Sequence, residues 1–193
     1  MASTHPTEAR RDVASRPYRF DPVEITLHWA TVALVVVQLT LALTWDALPR
    51  PERHLLIVIH MSFGILLGLV VLTRLVWRSI PSHWIQPAST GWDEVLARTV
   101  HFTLYGLLVV QACLGFLLRW SGGEAMSFFG FQIPSPMDAW SKAANHQVGE
   151  IHEKVGWAIV IIAAGHASAA LYHHFVLKDR VLTRMIPALK ARR

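Results

Sequence analysis

Four long apolar segments dominate the chain, and polar residues cluster between them. The segments run approximately over residues 23–45, 55–77, 96–118 and 151–175. About 20 apolar residues are needed to cross the hydrocarbon core of a bilayer at 1.5 Å per residue. Such runs predict helices, because a helix satisfies its own backbone hydrogen bonds where lipid offers no partner. The pattern therefore predicts an all-α integral membrane protein built as a four-helix bundle.

The composition supports lipid as the solvent for much of the surface. Hydrophobic residues make up 53% of the 193 residues and charged residues only 16%, with a mean hydropathy of +0.37. A soluble domain would carry about 25% charged residues. The chain is also short enough for one domain, so residues 1–193 are predicted to form a single transmembrane domain.

The distribution of basic residues predicts the direction of the helices. Thirteen of the 18 Lys and Arg residues lie in the two tails and around the second connection, and five lie on the other side. Since cytoplasmic loops are enriched in Lys and Arg, both termini are expected to be cytoplasmic. The net charge of +5 then indicates contact with anionic membrane lipid and not with nucleic acid. The tails contribute Arg10, Arg11, Arg16, Lys190, Arg192 and Arg193 to this count.

The connection over residues 121–150 is external in this topology. Its sequence SFFGFQIPSPMDAW mixes aromatic residues with prolines. Two interpretations fit equally: a cap that lies at the interface over the bundle, or a plain loop. Neither requires a second domain.

Histidines inside the apolar segments are the main candidates for chemistry. An ionisable residue within the membrane is costly and marks a functional site by default. The alternative for any single histidine is a hydrogen bond to a neighbouring helix. The predicted helix directions place His28 and His166 toward the cytoplasmic side, and His60 and His152 toward the external side.

The spacing of two histidines in the fourth segment places them at two different depths in the membrane. His152 and His166 are separated by fourteen residues, which corresponds to about 21 Å along a helix and nearly whole turns. Two facing imidazoles at each depth are what a b-type haem needs as axial ligands. Two haem b groups are therefore predicted, bound non-covalently because the chain has no C-x-x-C-H motif. Zinc or copper would require three or four ligands at one depth.

Glycines share the faces of two of these histidines. Gly64 and Gly68 follow His60 on one helix face, and Gly156 follows His152 in the same way. Room for a flat haem is one interpretation, and close approach of two helices is the other.

Together these residues resemble the bacterial di-haem cytochrome b561 family over about residues 18–187. The resemblance rests on Leu27-His28-Trp29, His60-x-x-x-Gly64, Arg74-Leu75-Val76-Trp77-Arg78, His101-x-x-x-Tyr105, His152-Glu153, Gly165-His166-Ala167, Ala169-Ala170-Leu171, His173-His174, Lys178-Asp179 and Arg184-Met185-x-Pro187.

The resemblance implies a multi-pass protein of the bacterial inner membrane. It implies that the axial ligands are His28, His60, His152 and His166, that electrons pass between the two haems, and that ubiquinone is a partner. One member of the family oxidises superoxide and reduces ubiquinone, so superoxide is an expected donor. That member's basic residue before the external ligand has no counterpart here. Four external cations could steer an anion instead, namely Lys142, Lys154, Arg53 and Arg119.

Four further residues are expected to contact the cofactors. Arg19, Arg74 and Arg78 lie where they could bind haem propionates on the cytoplasmic side, although Arg74 and Arg78 could instead only set the topology. His101 has no matched partner and is expected to contact a propionate or a quinone. The sequence identifies no catalytic acid, base or nucleophile.

Two other functions remain open. The chain could be a cytochrome b anchor subunit that takes electrons from a docked dehydrogenase or hydrogenase. It could also be a haem-free, histidine-rich transporter of metal ions or protons.

Overall fold

The computed structural model describes residues 17, 19–83, 85 and 91–186. Four long helices account for most of them: α1 (Pro22–Thr44), α2 (Arg50–Ser79), α3 (Trp92–Ser121) and α4 (Lys142–Tyr172). All four are long and apolar enough to cross a membrane. The prediction of a four-helix membrane bundle is confirmed.

Each predicted span falls largely on one of these helices, although α4 begins at Lys142, well before its predicted span over residues 151–175. The first predicted span extends one residue beyond α1, into a 3₁₀ turn over Trp45–Ala47. The last extends beyond α4 into a π-helical turn over His173–Leu177. Tyr18 and Pro187, from the family motif, lie outside the described residues, as do the tail cations Arg10, Arg11, Arg16, Lys190, Arg192 and Arg193.

Local sequence signals fix where the helices begin. Asp21 caps α1 by accepting a hydrogen bond from the backbone N–H of Glu24 at 2.9 Å, and Pro22 occupies the first turn. Ser141 caps α4 by accepting from the N–H of Ala144 at 3.2 Å. Polar caps at both ends of the bundle thus satisfy backbone donors that lipid could not satisfy.

The two ends of the described chain meet on one side of the bundle. The indole of Trp29 donates to the carbonyl of Met185 at 3.0 Å. The guanidinium of Arg184 lies over the ring of Phe20 at 5.7 Å. An even number of helices requires this arrangement, and the assignment of that side to the cytoplasm stays a prediction.

The bundle has a small apolar core in its middle. Val71 is fully buried and packs with Leu67, Leu108 and Ile159 from three helices. Many apolar side chains elsewhere point outward, with Ile161 as an example at 67% exposure. Such a surface suits lipid. Because lipid supplies no hydrophobic driving force between helices, packing and interhelical hydrogen bonds hold them together.

The connection between α3 and α4, which is predicted to be external, folds back on α2. Its strands β1 (Met126–Phe128) and β2 (Phe131–Ile133) form an antiparallel hairpin. The Ser62 hydroxyl accepts from the N–H of Phe129 at 2.9 Å, and the Phe129 ring meets Phe63 edge-on at 5.7 Å. The connection is therefore a packed cap and not a plain loop, although the sequence pattern predicts no strand there.

Candidate functional site

Two histidines face each other in the half of the bundle that is predicted to be external, which is called the external half below; the opposite half is called the cytoplasmic half. The ring centroids of His60 on α2 and His152 on α4 are 6.4 Å apart, with the planes inclined by 69°. This distance leaves room for one metal ion if each ring nitrogen lies about 2 Å from it. Gly115 on α3 lies beside the His152 ring, where a Cβ would make an ordinary contact with Cε1 at 3.5 Å. Trp45 contacts the other ring edge-on at 5.0 Å.

Two glutamines pack beside these histidines. The Gln38 amide donates to the backbone carbonyl of His60 at 3.1 Å. A Cβ at Gly64 would lie only 2.7 Å from the Gln38 Nε2 atom, and one at Gly156 would lie 3.2 Å from the Gln111 Nε2 atom. These glycines thus admit a side chain from the adjacent helix, which favours the helix-approach interpretation for both positions.

A second group of histidines lies in the other half of the bundle. The rings of His101 on α3 and His166 on α4 are in edge contact, with centroids 5.1 Å apart. Two imidazoles binding one metal from opposite sides would have centroids roughly 6 Å apart. His101 therefore touches His166 directly in this arrangement. His28 on α1 is close enough to His166 for an electrostatic interaction.

A buried arginine links this group to α1. The guanidinium of Arg74 contacts the His28 Nδ1 atom and the Thr31 hydroxyl, each at 3.3 Å. It also lies 3.6 Å from the Glu24 carboxylate and 5.1 Å from the centre of the Tyr105 ring. A charge at this depth is tolerated because the carboxylate and the hydrogen bonds compensate it.

The structure brings together most of the residues predicted for the site. His60 meets His152, and Arg74 meets His28. Arg19 is exposed at a bend before α1, so its contact with a propionate stays a prediction. Gly68 approaches Ala112 of α3, where a Cβ would lie at 3.4 Å, so it serves helix packing.

Three of the four external cations are paired with carboxylates. Arg53 contacts Asp46 at 2.8 Å, and Lys154 contacts Glu150 at 3.1 Å. Arg119 forms an ion pair with Glu124. Since each pair neutralises its cation, the field that could attract an anion is weaker than the sequence suggested.

Sequence reasoning missed three polar residues at these sites. Gln38 and Gln111 interrupt apolar runs, and an amide within a membrane helix needs a partner. Glu24 lies at the start of the first predicted span and is only 3% exposed. The signal was present in each case, because a polar side chain inside an apolar run is as informative as a histidine.

A bundle of four membrane helices with paired interior histidines is typical of membrane b-type cytochromes. The described residues contain no group of three or more His, Cys, Asp or Glu side chains suited to a metal ion.

Comparisons with known proteins agree with this class. The sequence profile of prokaryotic cytochrome b561 matches residues 19–188. Cytochrome b561 homolog 2 of Escherichia coli strain K12 is 31% identical over 175 residues, covering 88% of this chain and 92% of that protein. Probable superoxide oxidase CybB of Yersinia pestis is 27% identical over 170 residues, covering 88% and 96%. The chain therefore belongs to the prokaryotic cytochrome b561 family, which confirms the resemblance seen in the sequence.

Membership in this family implies a b-type haem, and the external pair fits such a group. Imidazole is an established axial ligand of haem iron. The Nδ1 atoms of His60 and His152 are buried and have no hydrogen-bond partner among the described residues. Neither ring is thus held by a hydrogen bond at Nδ1, and the Nε2 atom of each could bind haem iron.

Proposed function

We propose that this chain is a di-haem b-type cytochrome of the bacterial inner membrane that transfers electrons between an external donor and ubiquinone. The observation that carries the proposal is the opposed pair of His60 and His152 at 6.4 Å within a membrane bundle. A second histidine group, fourteen residues further along α4, supports a second haem. All of these residues belong to one transmembrane domain.

The four axial ligands are assigned by helix and depth. His60 and His152 would hold the haem on the external side, and His28 and His166 the haem on the cytoplasmic side. Bundles build cofactor sites in this way, from side chains on facing helices. His101, in contact with His166, would then contact a propionate or a quinone.

The role of Arg74 depends on which ring nitrogen of His28 carries the proton. A guanidinium can only donate, so its contact with the Nδ1 atom requires that nitrogen to accept. Ligation through Nε2 would place the His28 proton on Nδ1 and remove this acceptor. Arg74 would then be available to a haem propionate, together with Arg19.

The protein would bury the haems and separate the two haem sites from each other. A haem provides one-electron transfer, and its potential is set by ligands, hydrogen bonds and burial. Leu67, Val71, Leu108 and Ile159 form an apolar layer between the two histidine groups. Such a layer offers water no hydrogen-bonding partner.

Ubiquinone requires protons as well as electrons, because one quinone takes two of each to become the quinol. His173 lies at the end of α4 and pairs with the Asp179 carboxylate through Nδ1. This pairing orients the ring and leaves Nε2 free to exchange a proton at the membrane boundary. The π-helical turn that contains His173 supports a site here, since such turns often occur at functional sites.

Superoxide is the proposed donor on the external side. Two superoxide anions would release two electrons and leave two O2 molecules, which matches the demand of one quinone. The support comes from the Yersinia pestis relative, whose name describes a probable superoxide oxidase. The paired state of Arg53, Arg119 and Lys154 counts against strong electrostatic steering.

Anaerobic stopped-flow spectroscopy of the purified protein tests this function. Haem reduction would be followed separately after mixing with superoxide and with ubiquinol. Rapid reduction by both supports the proposal. Reduction that occurs only with a co-purifying dehydrogenase selects the anchor-subunit function, and colourless protein from haem-replete cells selects the transporter.

Haem content tests the ligands. We expect His152→Ala to lose one of two haems and His166→Ala to lose the other, measured by pyridine haemochromogen and by electron paramagnetic resonance. His146→Ala is the matched control, because that histidine is exposed near the start of α4. Retention of both haems in the first two variants would reject the assignment.

A further inference from the structure

The two halves of the bundle carry the same polar spacing. His28 precedes Gln38 by ten residues on α1, and His101 precedes Gln111 by ten residues on α3. On the following helices, His60 and Gly64 correspond to His152 and Gly156, each pair four residues apart. The helix pair α1 and α2 thus repeats in α3 and α4, with both pairs running in the same order.

The repeat is also present in the packing. Gln38 on α1 places its amide against Gly64 of α2, and Gln111 on α3 places its amide against Gly156 of α4. In the first half this amide donates to the carbonyl of His60, one turn before the glycine. Each external histidine therefore has a glutamine from the preceding helix packed one turn away.

Four buried atoms that lack a hydrogen-bond partner also correspond between the two halves of the bundle. Among the described residues, the buried side-chain atoms without a hydrogen-bond partner include His60 Nδ1 with Gln38 Oε1, and His152 Nδ1 with Gln111 Oε1. If Nε2 binds a metal, Nδ1 carries the proton and is a donor, while an amide oxygen is an acceptor. An unpaired donor and an unpaired acceptor at one depth are each costly in a buried site.

We propose that Gln38 and Gln111 are positioning residues of the external site, in which each amide oxygen accepts the Nδ1 proton of the adjacent ligand histidine. This inference rests on the proposed function, because it requires His60 and His152 to bind haem iron. Metal-bound histidines commonly donate their second nitrogen to a carbonyl or carboxylate, which orients the ring and raises its basicity. The glycines at positions 64 and 156 are then needed to let each amide reach its histidine.

The basicity of the ligand histidine determines the direction in which the midpoint potential of the haem shifts. A hydrogen bond from Nδ1 makes imidazole a stronger donor to iron and stabilises the oxidised form. Replacing glutamine by methionine keeps the size of the side chain and removes the acceptor. We expect the midpoint potential of the external haem to rise, with a change of about tenfold in the redox equilibrium, equivalent to ~59 mV for one electron.

The experiment is a redox titration of the full-length, haem-loaded protein, following both haems by optical spectroscopy. The variants are Gln38→Met and Gln111→Met, and the matched control is Gln147→Met at an exposed position on α4. Each test variant should keep two haems per chain and shift the same single haem upward, while the control leaves both potentials unchanged. Gly64→Ala, which displaces the Gln38 amide, provides a second route if Gln38→Met does not fold.

The outcomes separate this inference from the proposed function. If the histidine variants lose the expected haems but both glutamine variants keep unchanged potentials, the positioning role is wrong and the di-haem function stands. Shifts in two different haems would likewise reject a common site. If His60→Ala and His152→Ala each retain both haems, the proposed function itself fails.

Discussion

At the scale of single residues, Glu24 is the carboxylate that balances two cations in the cytoplasmic half. It lies 3.6 Å from Arg74 and 3.5 Å from Arg78, and its side chain is 4% exposed. Removing one partner of a buried ion pair leaves the other charge uncompensated, which costs about 3 kcal/mol or more. We therefore expect Glu24→Gln to lower the free energy of unfolding by about 3 kcal/mol.

Chemical unfolding in detergent measures this effect. Glu150→Gln is the control, because Glu150 pairs with Lys154 on the exposed surface and should contribute little. Equal losses of stability in the two variants would contradict the special role of Glu24.

The N-cap residue Asp21 should make the stability depend on pH in the acid range. Burial raises the pKa of Asp21, but hydrogen bonds from the Trp77 indole and from the backbone N–H groups of Glu24 and Val23 outweigh it, so the pKa is lowered from 3.8. A lowered pKa in the folded state stabilises the fold above pH 3.8, and this contribution is lost as the pH falls through the folded value.

The test compares the protein with Asp21→Asn, which keeps a capping side chain but cannot titrate. The stability difference between them should be constant at neutral pH and shrink as the solution is acidified toward about pH 3. A difference that stayed constant across the acid range would rule out the lowered pKa as its source.

Histidines were predictable at this scale, whereas their partners were not. His60 and His152 were paired from helix direction and depth, because an ionisable ring in an apolar run is costly unless it binds a partner. Glu24 and the two glutamines depend on which helix lies opposite, and spacing along one helix carries no such information. The proximity of His101 to His166 was missed for the same reason.

At the scale of elements, the contact between α1 and α2 depends on the missing side chain at position 64. Gly64→Ala would push the Gln38 amide away from the carbonyl of His60. We expect this variant to lose about 1 kcal/mol through the broken hydrogen bond. Gly106→Ala on α3 is the control, since a Cβ there meets nothing within 4 Å.

A double-mutant cycle identifies the cause. In a Gln38→Ala background, the penalty of Gly64→Ala should disappear, because the displaced atom is no longer present. If the penalty persisted in that background, the backbone of α1 and not the amide would be responsible.

The external hairpin should depend on one hydroxyl. Ser62 is 2% exposed, accepts from the N–H of Phe129 at 2.9 Å and lies 3.4 Å from the carbonyl of Ser127. We expect Ser62→Ala to loosen β1 and β2 by about 1–2 kcal/mol, seen as faster hydrogen exchange at residues 126–133. Ser79→Ala, an exposed position on α2, should leave exchange there unchanged.

Element length was predictable from the sequence, and the hairpin was not. The predicted spans follow from the number of apolar residues that a bilayer requires, which explains why each span falls largely on one of the four helices. The hairpin residues Met126–Phe128 and Phe131–Ile133 are too short for a periodic pattern. Their position is fixed by Ser62, which is 65 residues away from Ser127 in the chain.

At the scale of the whole molecule, the two histidine groups are arranged in series across the bundle. The apolar layer around Val71 separates them. An electron that enters at the external site reaches the cytoplasmic boundary only if the second site holds its own carrier. The haem that we propose near His166 is therefore expected to be essential for reducing a quinone from the outside, although it would not meet the donor.

His166→Ala tests this order in vesicles that contain ubiquinone and protein inserted in one direction. With superoxide generated outside, the variant should still reduce its external haem at the rate of the unmodified protein. Its ubiquinol formation should fall to the background rate of vesicles without protein, because the path across the apolar layer lacks its second carrier. His146→Ala, altered at an exposed external position, should retain both rates. If His166→Ala formed ubiquinol at the unmodified rate, the quinone would have to accept electrons directly from the external haem, and the proposed path through the cytoplasmic site would be wrong.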